Sequence, residues 1–542
     1  MESEKLILKS SFWSFLGQFS LKLFSFIYTI LLARFFTSED VGTFYLALSV
    51  ASMLFIFTDL GLDYVVSRYV PYLLGKSEHR KLDLLLKLTY FGGGFLTIIF
   101  SLLVFIFSGF IAALLNSPQI DIPLKILSFY LFVNELLAIN NGILRGTKKI
   151  QQVNILASLQ GFVKLILLLP LAILFGFDSF SISLGFVASF AITIPLSFLY
   201  VLPKLKEFKK NSDAADDLSQ SQKFNFSKEV VFFGISTAFV VALSALLQYL
   251  DVLMLGYFNF PKSQIAIYSI AVGLANLLLI FPTSISSVFL PLISELYGKE
   301  KFDEMKKITS TTINWTILST IPIVILFCIF GKELLSSLYG FEYQGGDAVL
   351  ILFSLGLFIK SVFLIYSSII VATRKIKSQL IIAVFSAFVN IILNFLLIPQ
   401  YGIFGASIAT GFSLLVYSLV TFTEAKTLFS FKFPNLYGPV LCILLLIFLG
   451  KFFASDSIST FSSYLLNSIS SILSFLPYSD KISAFVFLAV LFGLCSLVYL
   501  FLLTLLKPFS SDDLLLLEKT LIRFNAPVRF ISIVLRIFGK SK

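Results

Sequence analysis

Residues 145–150 read RGTKKI, and residues 371–376 read VATRKI. Each follows an apolar run, NELLAINNGIL before the first and LIYSSII before the second. The spacing is constant, 226 positions from Thr147 to Thr373, so Lys149 and Ile150 fall on Lys375 and Ile376. The register holds beyond the motif. Phe162 and Val163 fall on Phe388 and Val389, Gly176 on Gly402, and Ser181, Ile182, Gly185 and Phe186 on Ser407, Ile408, Gly411 and Phe412. Earlier in the chain the spacing slips to 223, where Phe35 and Tyr45 fall on Phe258 and Tyr268. Matched glycines at a constant offset are hard to obtain by chance in apolar sequence, so the chain contains an internal repeat.

What surrounds the motif is mostly hydrocarbon. Of 542 residues, 58% are hydrophobic, 64 are Phe, and 13% are charged; the mean hydropathy is +0.95. Soluble domains run near 45–50% apolar and about 25% charged. Water cannot dissolve this much apolar surface, and the chain reads as an all-α polytopic membrane protein. Cys328, Cys442 and Cys495 lie inside apolar runs and read as small core residues rather than a disulfide or metal set. His79 is the single histidine and sits in a charged stretch, which excludes histidine-based metal or relay chemistry. The first apolar segment is too long for a cleavable signal peptide.

A helix needs about 20 apolar residues to cross the hydrocarbon core. Candidate spans fall at 11–34, 43–66, 86–115, 124–144, 152–175, 179–202, 229–256, 264–290, 309–330, 347–370, 379–399, 402–422, 436–453 and 482–506, about fourteen in all. The Ser-rich stretch 458–478 is placed at the outer surface. With the N-terminus inside, roughly 32 Lys and Arg lie inside, about 6 outside and about 3 at mid-membrane. Both termini are therefore expected in the cytoplasm of a plasma-membrane protein. The bias also explains the pI near 9.2: the cations face cytoplasm and anionic lipid, and no nucleic-acid partner is required.

The offset spans six helices, an even number, so both copies enter the membrane in the same direction. The expected architecture is two parallel-repeat six-helix lobes, 1–202 and 229–424, joined by a flexible cytoplasmic linker at 203–228. Two additional helices follow within 425–506, then a basic amphipathic tail at 507–542, read as interfacial helices or a partner-binding segment. Two like-oriented lobes about an axis along the membrane normal suit alternating access to a site near the midplane.

LLARFFTSEDVGTFYLALSVA (31–51), TDLGLDYVVSRYV (58–70), GILRGTKKI (142–150) and the echo DVLMLGYFN with IYSIA (251–271) carry a resemblance. In these motifs and their order the chain resembles the multidrug, oligosaccharidyl-lipid and polysaccharide exporter superfamily, and more narrowly its polysaccharide-exporter or Wzx-type flippases. The resemblance covers essentially the whole chain. It implies two six-helix bundles with two further helices. It also implies movement of a polyprenyl-linked oligosaccharide between leaflets.

A charge at mid-membrane is costly and marks function by default. Lys22, Lys164 and Lys360 lie mid-span, as do Glu135 and Asp251, with Asp59 and Asp63 nearer the cytoplasmic end of span 2. A lipid-linked sugar carries a phosphate or pyrophosphate, and fixed cations in a wet cavity would lower its crossing cost. Lys22 and Lys360, one per lobe, are the leading substrate contacts. Lys164 serves the same cavity or forms a structural ion pair with Glu135. Arg34, beside Glu39 and Asp40, is a rim pair or an outer gate. Arg145 is an anchor or a contact at the cytoplasmic mouth.

Asn390 and Asn394 lie one turn apart and share a face; Thr410 follows on the next span, and Asp251 lies on span 7. Here the chain is similar to the lipid II flippase branch. That branch holds sodium with an Asp on span 7, an Asn-x-x-x-Asp on span 11 and a Thr on span 12. Asn394 replaces the second acid and removes one negative charge. The resemblance thus implies an ion-coupling site for sodium or a proton, with helix–helix hydrogen bonding as the alternative reading.

Two rival functions remain. A drug/cation antiporter of the same superfamily would want an anionic cavity, against the mid-span cations counted above. A membrane glycosyltransferase or polymerase would need a catalytic carboxylate on a substantial outer loop, and the outer loops are short. No paired carboxylates, Ser–His–Asp set or phosphate-cradling loop appears, so the chain is not expected to be an enzyme. GGG at 92–94 reads as close helix packing. The expected partners are a lipid-linked oligosaccharide, anionic lipids and pathway glycosyltransferases or a polymerase, around a monomer without a cofactor.

Overall fold

The computed structural model describes residues 2–429, apart from 60, 214–217 and 374, together with Gly493. The expected spans 436–453 and 482–506, the segment 458–478 and the tail 507–542 lie outside the described residues. Every regular element among the described residues is helical. In chain order these are α1 (Glu2–Phe35), α2 (Ser38–Asp59), α3 (Leu62–Gly75), α4 (His79–Lys87), α5 (Gly94–Leu114), α6 (Asp121–Gly146) and α7 (Ile150–Phe175). They continue with α8 (Ser179–Asp213), α9 (Gln220–Tyr257), α10 (Lys262–Ala275), α11 (Ile280–Gly298), α12 (Phe302–Tyr339), α13 (Asp347–Ala372) and α14 (Ile376–Phe429). A π-helical stretch, Leu88–Gly93, joins α4 to α5, and a 3-10 turn, Asn276–Leu279, joins α10 to α11.

Each of the first twelve expected spans is covered by these helices; 43–66 is shared by α2 and α3, 86–115 by α4, the π-helical stretch and α5, and 264–290 by α10 and α11, while α14 contains two. Eight helical stretches among the described residues are long and apolar enough to cross a bilayer. The chain is an all-α, multi-pass membrane protein.

The repeat read from RGTKKI is written into the backbone. After α6, Thr147 N donates to Ile143 O at 2.9 Å and Lys149 N to Leu144 O at 2.7 Å. After α13, Thr373 N donates to Ile369 O at 3.0 Å and Lys375 N to Ile370 O at 3.1 Å, the same bonds 226 positions on. The threonine hydroxyls cap the same carbonyls, Leu144 and Ile370. Gly176 (φ +108°) turns the chain from α7 into α8, and Gly402 (φ +56°) turns it inside α14. The other offset is present too. Ser77 and Glu300, 223 positions apart, both adopt φ +57°, and the residue after each bonds back to Leu73 O and Leu296 O.

These corners share one design. Ser77, Asn116, Lys148, Asn259 and Glu300 take left-handed φ without being glycine, and in each case the next N–H bonds the carbonyl five residues back. This 6→1 bond satisfies carbonyls left open at a helix end, which matters where water is scarce.

The segment 203–228, expected as a flexible linker, is helical on both sides of its centre. The α8 helix runs on to Asp213, and α9 starts at Gln220. Ser219 Oγ accepts from Gln222 N at 3.3 Å, while Ser219 N donates to Gln222 Oε1 at 3.0 Å. This capping box satisfies two open donors. Lys204 pairs with Glu207 at 2.7 Å along the extension. Lys, Glu and Gln are good helix formers, so polar composition here marks a helix that leaves the apolar zone.

The fold divides into two compact units. Among the described residues, the first comprises the chain up to Gly273 with Ala383–Thr410; the second comprises Leu274–Ile382 and Gly411–Phe429. In the first, buried Val65, Val66, Tyr69, Leu73, Leu85, Ile143, Leu156 and Phe226 form one core. Tyr130 stacks edge-on to Phe190, with ring centres 4.9 Å apart. In the second, Tyr339, Tyr366 and Phe363 are fully buried, and Gly356 packs so closely that a Cβ there would lie 2.9 Å from Gly411 Cα. Of the GGG triplet, only Gly93 meets a close neighbour, the Leu62 side chain.

Candidate functional site

Asp251 lies two turns before the end of α9, and the tight corner at Asn259 returns the chain as α10. Tyr268 sits a similar distance beyond that corner. Asn390 and Asn394 occupy one face of the first half of α14. Gly402 reverses the chain, which brings Thr410 back to the level of Asn394, each eight residues from the turn. At 1.5 Å per residue, Asp251, Tyr268, Asn394 and Thr410 lie about 12 Å below their corners, with Asn390 one turn deeper. The two corners touch: a Cβ on Gly402 would lie 2.8 Å from the Phe260 ring. Phe258 and Phe395 also meet edge-on, 5.7 Å between centres. Two helical hairpins therefore present polar groups at one depth, near the middle of a ~30 Å core.

The groups form one network. Asn394 Nδ2 donates to Asp251 Oδ1 at 2.7 Å, and Thr410 Oγ1 donates to Asp251 Oδ2 at 2.6 Å. The Tyr268 hydroxyl donates to the same Oδ2. Asn390 Nδ2 donates to Thr410 Oγ1 at 3.0 Å, and Asn394 Nδ2 also reaches Asn390 Oδ1 at 3.2 Å. All five side chains are buried. A buried carboxylate with three donors is a satisfied anion, whereas each missing bond would cost about 1–3 kcal/mol.

Tyr268 is the member that sequence reasoning missed. It stood in the repeat alignment against Tyr45, but nothing in an apolar, tyrosine-rich chain singled out its hydroxyl. Its spacing from the corner, matched to that of Asp251, was the available signal.

The sodium implied by the resemblance can be tested against these residues. Asn394 Oδ1 is buried and has no hydrogen-bond partner. It joins the Asp251 carboxylate, Asn390 Oδ1 and Thr410 Oγ1 as oxygen ligands carrying a single negative charge. Oxygen donors of low total charge fit a hard monovalent cation. Among the described residues no group of three or more His, Cys, Asp or Glu could hold a metal. The donors fit sodium.

The expected substrate cations are dispersed differently. Lys22 on α1 is exposed and Lys360 on α13 is half-buried. Lys22 does not line the nearby groove of about 350 Å³ between α1 and α7, which Gly17, Phe24, Asn154 and Phe162 border. Arg34 is exposed at the end of α1; its acidic neighbour Asp40 accepts from Ser179 N at 3.1 Å. Arg145 holds Asp63 with Nη1 2.9 and 2.6 Å from the two carboxylate oxygens.

The ion pair expected between Lys164 and Glu135 is not formed. Lys164 Nζ lies 4.5 Å from the centre of the Tyr28 ring and 5.9 Å from that of Phe186, a cation–π arrangement. Both Glu135 oxygens are buried without a hydrogen-bond partner. Similar depth on consecutive helices was the basis for pairing them, and helix rotation, which depth does not fix, turns them apart.

Comparison with known proteins places this geometry in a family. The model described as "Polysaccharide biosynthesis protein" matches residues 7–297, and the MatE model matches 236–396, the stretch holding Asp251, Tyr268, Asn390 and Asn394. The capsular polysaccharide biosynthesis protein CapF of Staphylococcus aureus is 26% identical over 410 residues, 76% of this chain and 97% of the relative. The probable low-salt glycan biosynthesis flippase Agl15 of Haloferax volcanii is 24% identical over 258 residues, 48% of this chain and 52% of the relative. Among solved structures, the lipid II flippase MurJ in an inward closed conformation shares the fold, with a TM-score of 0.62 at 17% identity over 89% of this chain and 97% of that one. With more than half its length matched by one family model, the chain belongs to the polysaccharide biosynthesis protein family of multi-pass membrane proteins.

Proposed function

We propose that this protein is a flippase. It carries a polyprenyl-(pyro)phosphate-linked oligosaccharide from the cytoplasmic to the outer leaflet of the plasma membrane by alternating access, with both termini in the cytoplasm. The family match, and relatives named for capsular polysaccharide, glycan flipping and lipid II flipping, support this reading. The carrying observation is the Asp251 network, a single buried carboxylate gripped by donors from α10 and from both halves of α14. Such a group has no solvent-open face for catalysis. It suits a transporter that takes a coupling ion from water and encloses it at mid-membrane.

In this reading Asp251, Asn390, Asn394 and Thr410 hold sodium, which supplies the positive charge that the lone carboxylate lacks. Tyr268 orients the carboxylate. Lys22, Lys360, Lys164, Arg34 and Arg145 supply cations for the phosphate of the lipid carrier, while its polyprenyl tail stays in lipid. A charge carried bare across hydrocarbon is prohibitive, and fixed cations offset that cost. Glycosyltransferases or a polymerase of the same pathway provide and consume the lipid-linked sugar.

A second reading, a drug/cation antiporter, draws on the MatE match over the Asp251 helices. Reconstitution separates the two. Proteoliposomes loaded with fluorescent polyprenyl-pyrophosphate oligosaccharide should show protein-dependent transfer between leaflets, lost when Lys22 and Lys360 are both changed to Gln. Transport of organic cations without transfer of the lipid-linked sugar would replace the flippase with the antiporter.

A further inference from the structure

The second expected span is broken. The α2 helix ends at Asp59, Gly61 takes φ +68°, and α3 restarts at Leu62 with Asp63 in its first turn. Glu135 of α6 faces this break, fully buried. Beside it lies the π-helical stretch Leu88–Gly93; a Cβ built on Gly93 would be 3.8 Å from Glu135 Oε1. Both oxygens of Glu135 and Oδ1 of Asp59 are buried without a hydrogen-bond partner. Discontinuous helices and π-bulges gather at functional sites in transporters.

The charged and titratable groups around Glu135 leave it alone. Asp59 and Asp63 are the carboxylates within electrostatic reach. Arg145 is engaged by Asp63. The Tyr90 hydroxyl donates to Asn140, which donates in turn to Ser197. Lys164 lies over the Tyr28 ring. The backbone N–H groups of Gly61 and Asp63 reach the Asp59 carboxylate, whereas no donor reaches Glu135. Two buried carboxylates this close do not both ionise without a cation, and the one lacking donors is the one that keeps a proton.

We infer that Glu135 is a second ion-binding site, a proton carrier in the first half of the chain, with Asp59 as its relay toward the Asp63–Arg145 pair at the RGTKKI corner. Exposure rises along this line. Glu135 is 0% and Asp59 6% exposed, and the side chains of Asp63 and Arg145 are 21% and 46% exposed. In release, the O–H bond of Glu135 breaks and its proton passes through an entering water to Asp59, then to water beside Asp63. Loading is the reverse, and no bond between heavy atoms changes. The site does not depend on what substrate the protein moves.

Infrared spectroscopy of the full-length protein in lipid nanodiscs tests this without measuring transport. In an Asp251→Asn background, which removes the other buried candidate, the spectrum should keep the C=O stretch of a protonated carboxyl that shifts on H/D exchange. Glu135→Gln should lose that band, and Glu135→Asp should keep it at a shifted frequency. Asp59→Asn should keep it while slowing its exchange at least tenfold. The inference is overturned if the band survives Glu135→Gln, or stays unshifted in Glu135→Asp. It is equally overturned if sodium at constant pH abolishes the band, because the occupant is then a metal cation.

Discussion

Asn394 donates its amide to Asp251 Oδ1 at 2.7 Å, across 143 positions of sequence. The same amide group keeps its own oxygen buried and unbonded. One side chain therefore both satisfies the carboxylate and offers a vacant ligand beside it. Cation binding and the stability of the described helices should be linked through this residue.

Sodium should stabilise the protein, and Asp251→Asn should remove the effect. At a concentration tenfold above its dissociation constant, a ligand that binds only the folded state adds about 1.4 kcal/mol. The melting temperature in detergent should rise in sodium chloride relative to choline chloride for the wild type and not for Asp251→Asn. Equal melting in both salts for the wild type would remove sodium from the site.

Asn394→Asp restores the second acid that the lipid II flippase branch carries. It should tighten sodium binding at least tenfold by calorimetric titration. In sodium-free buffer the same variant should melt below the wild type, because two carboxylates on one site repel.

Tyr268→Phe deletes one donor to Asp251 and leaves the ring in place. Hydrogen bonds to a charged acceptor contribute about 1.5–3 kcal/mol. Loss of that order should appear in thermal unfolding, and it should shrink in an Asp251→Asn background. Equal losses in both backgrounds would mean that Tyr268 acts through packing alone.

Arg145 and Asp63 meet through two contacts at a partly exposed end of the bundle. A double-mutant cycle with Arg145→Gln and Asp63→Asn should give a coupling of about 1 kcal/mol or less. Arg145→Lys should recover most of it, since one nitrogen, Nη1, makes both contacts.

The helices were legible because a bilayer makes apolar length the main determinant of fold, and the repeat because Thr147, Thr373, Gly176 and Gly402 cap or turn the same corners. Asp251, Asn390, Asn394 and Thr410 stood out as polar groups in apolar runs. Tyr268 did not, because a ring is at home in such runs and only the tertiary fold aims its hydroxyl. Lys164 and Glu135 were paired by depth, a quantity the chain path gives. Their azimuth around each helix decides contact, and α7 turns Lys164 to the Tyr28 ring instead. The segment 203–228 looked unstructured by polarity, yet its capping box at Ser219 and Gln222 was already visible in the letters.

The corners closed by left-handed Ser77, Asn116, Lys148, Asn259 and Glu300 have a mechanical consequence. Joints tied by 6→1 bonds are stiff, so they transmit torque and do not absorb it. Compliance then resides within the rods, at Gly61 and the π-helical Leu88–Gly93. At those depths no water stands ready to replace a broken backbone bond, and each unsatisfied group costs several kcal/mol. Bending there is favourable only when bonds are exchanged all at once, the behaviour of a latch and not of a spring.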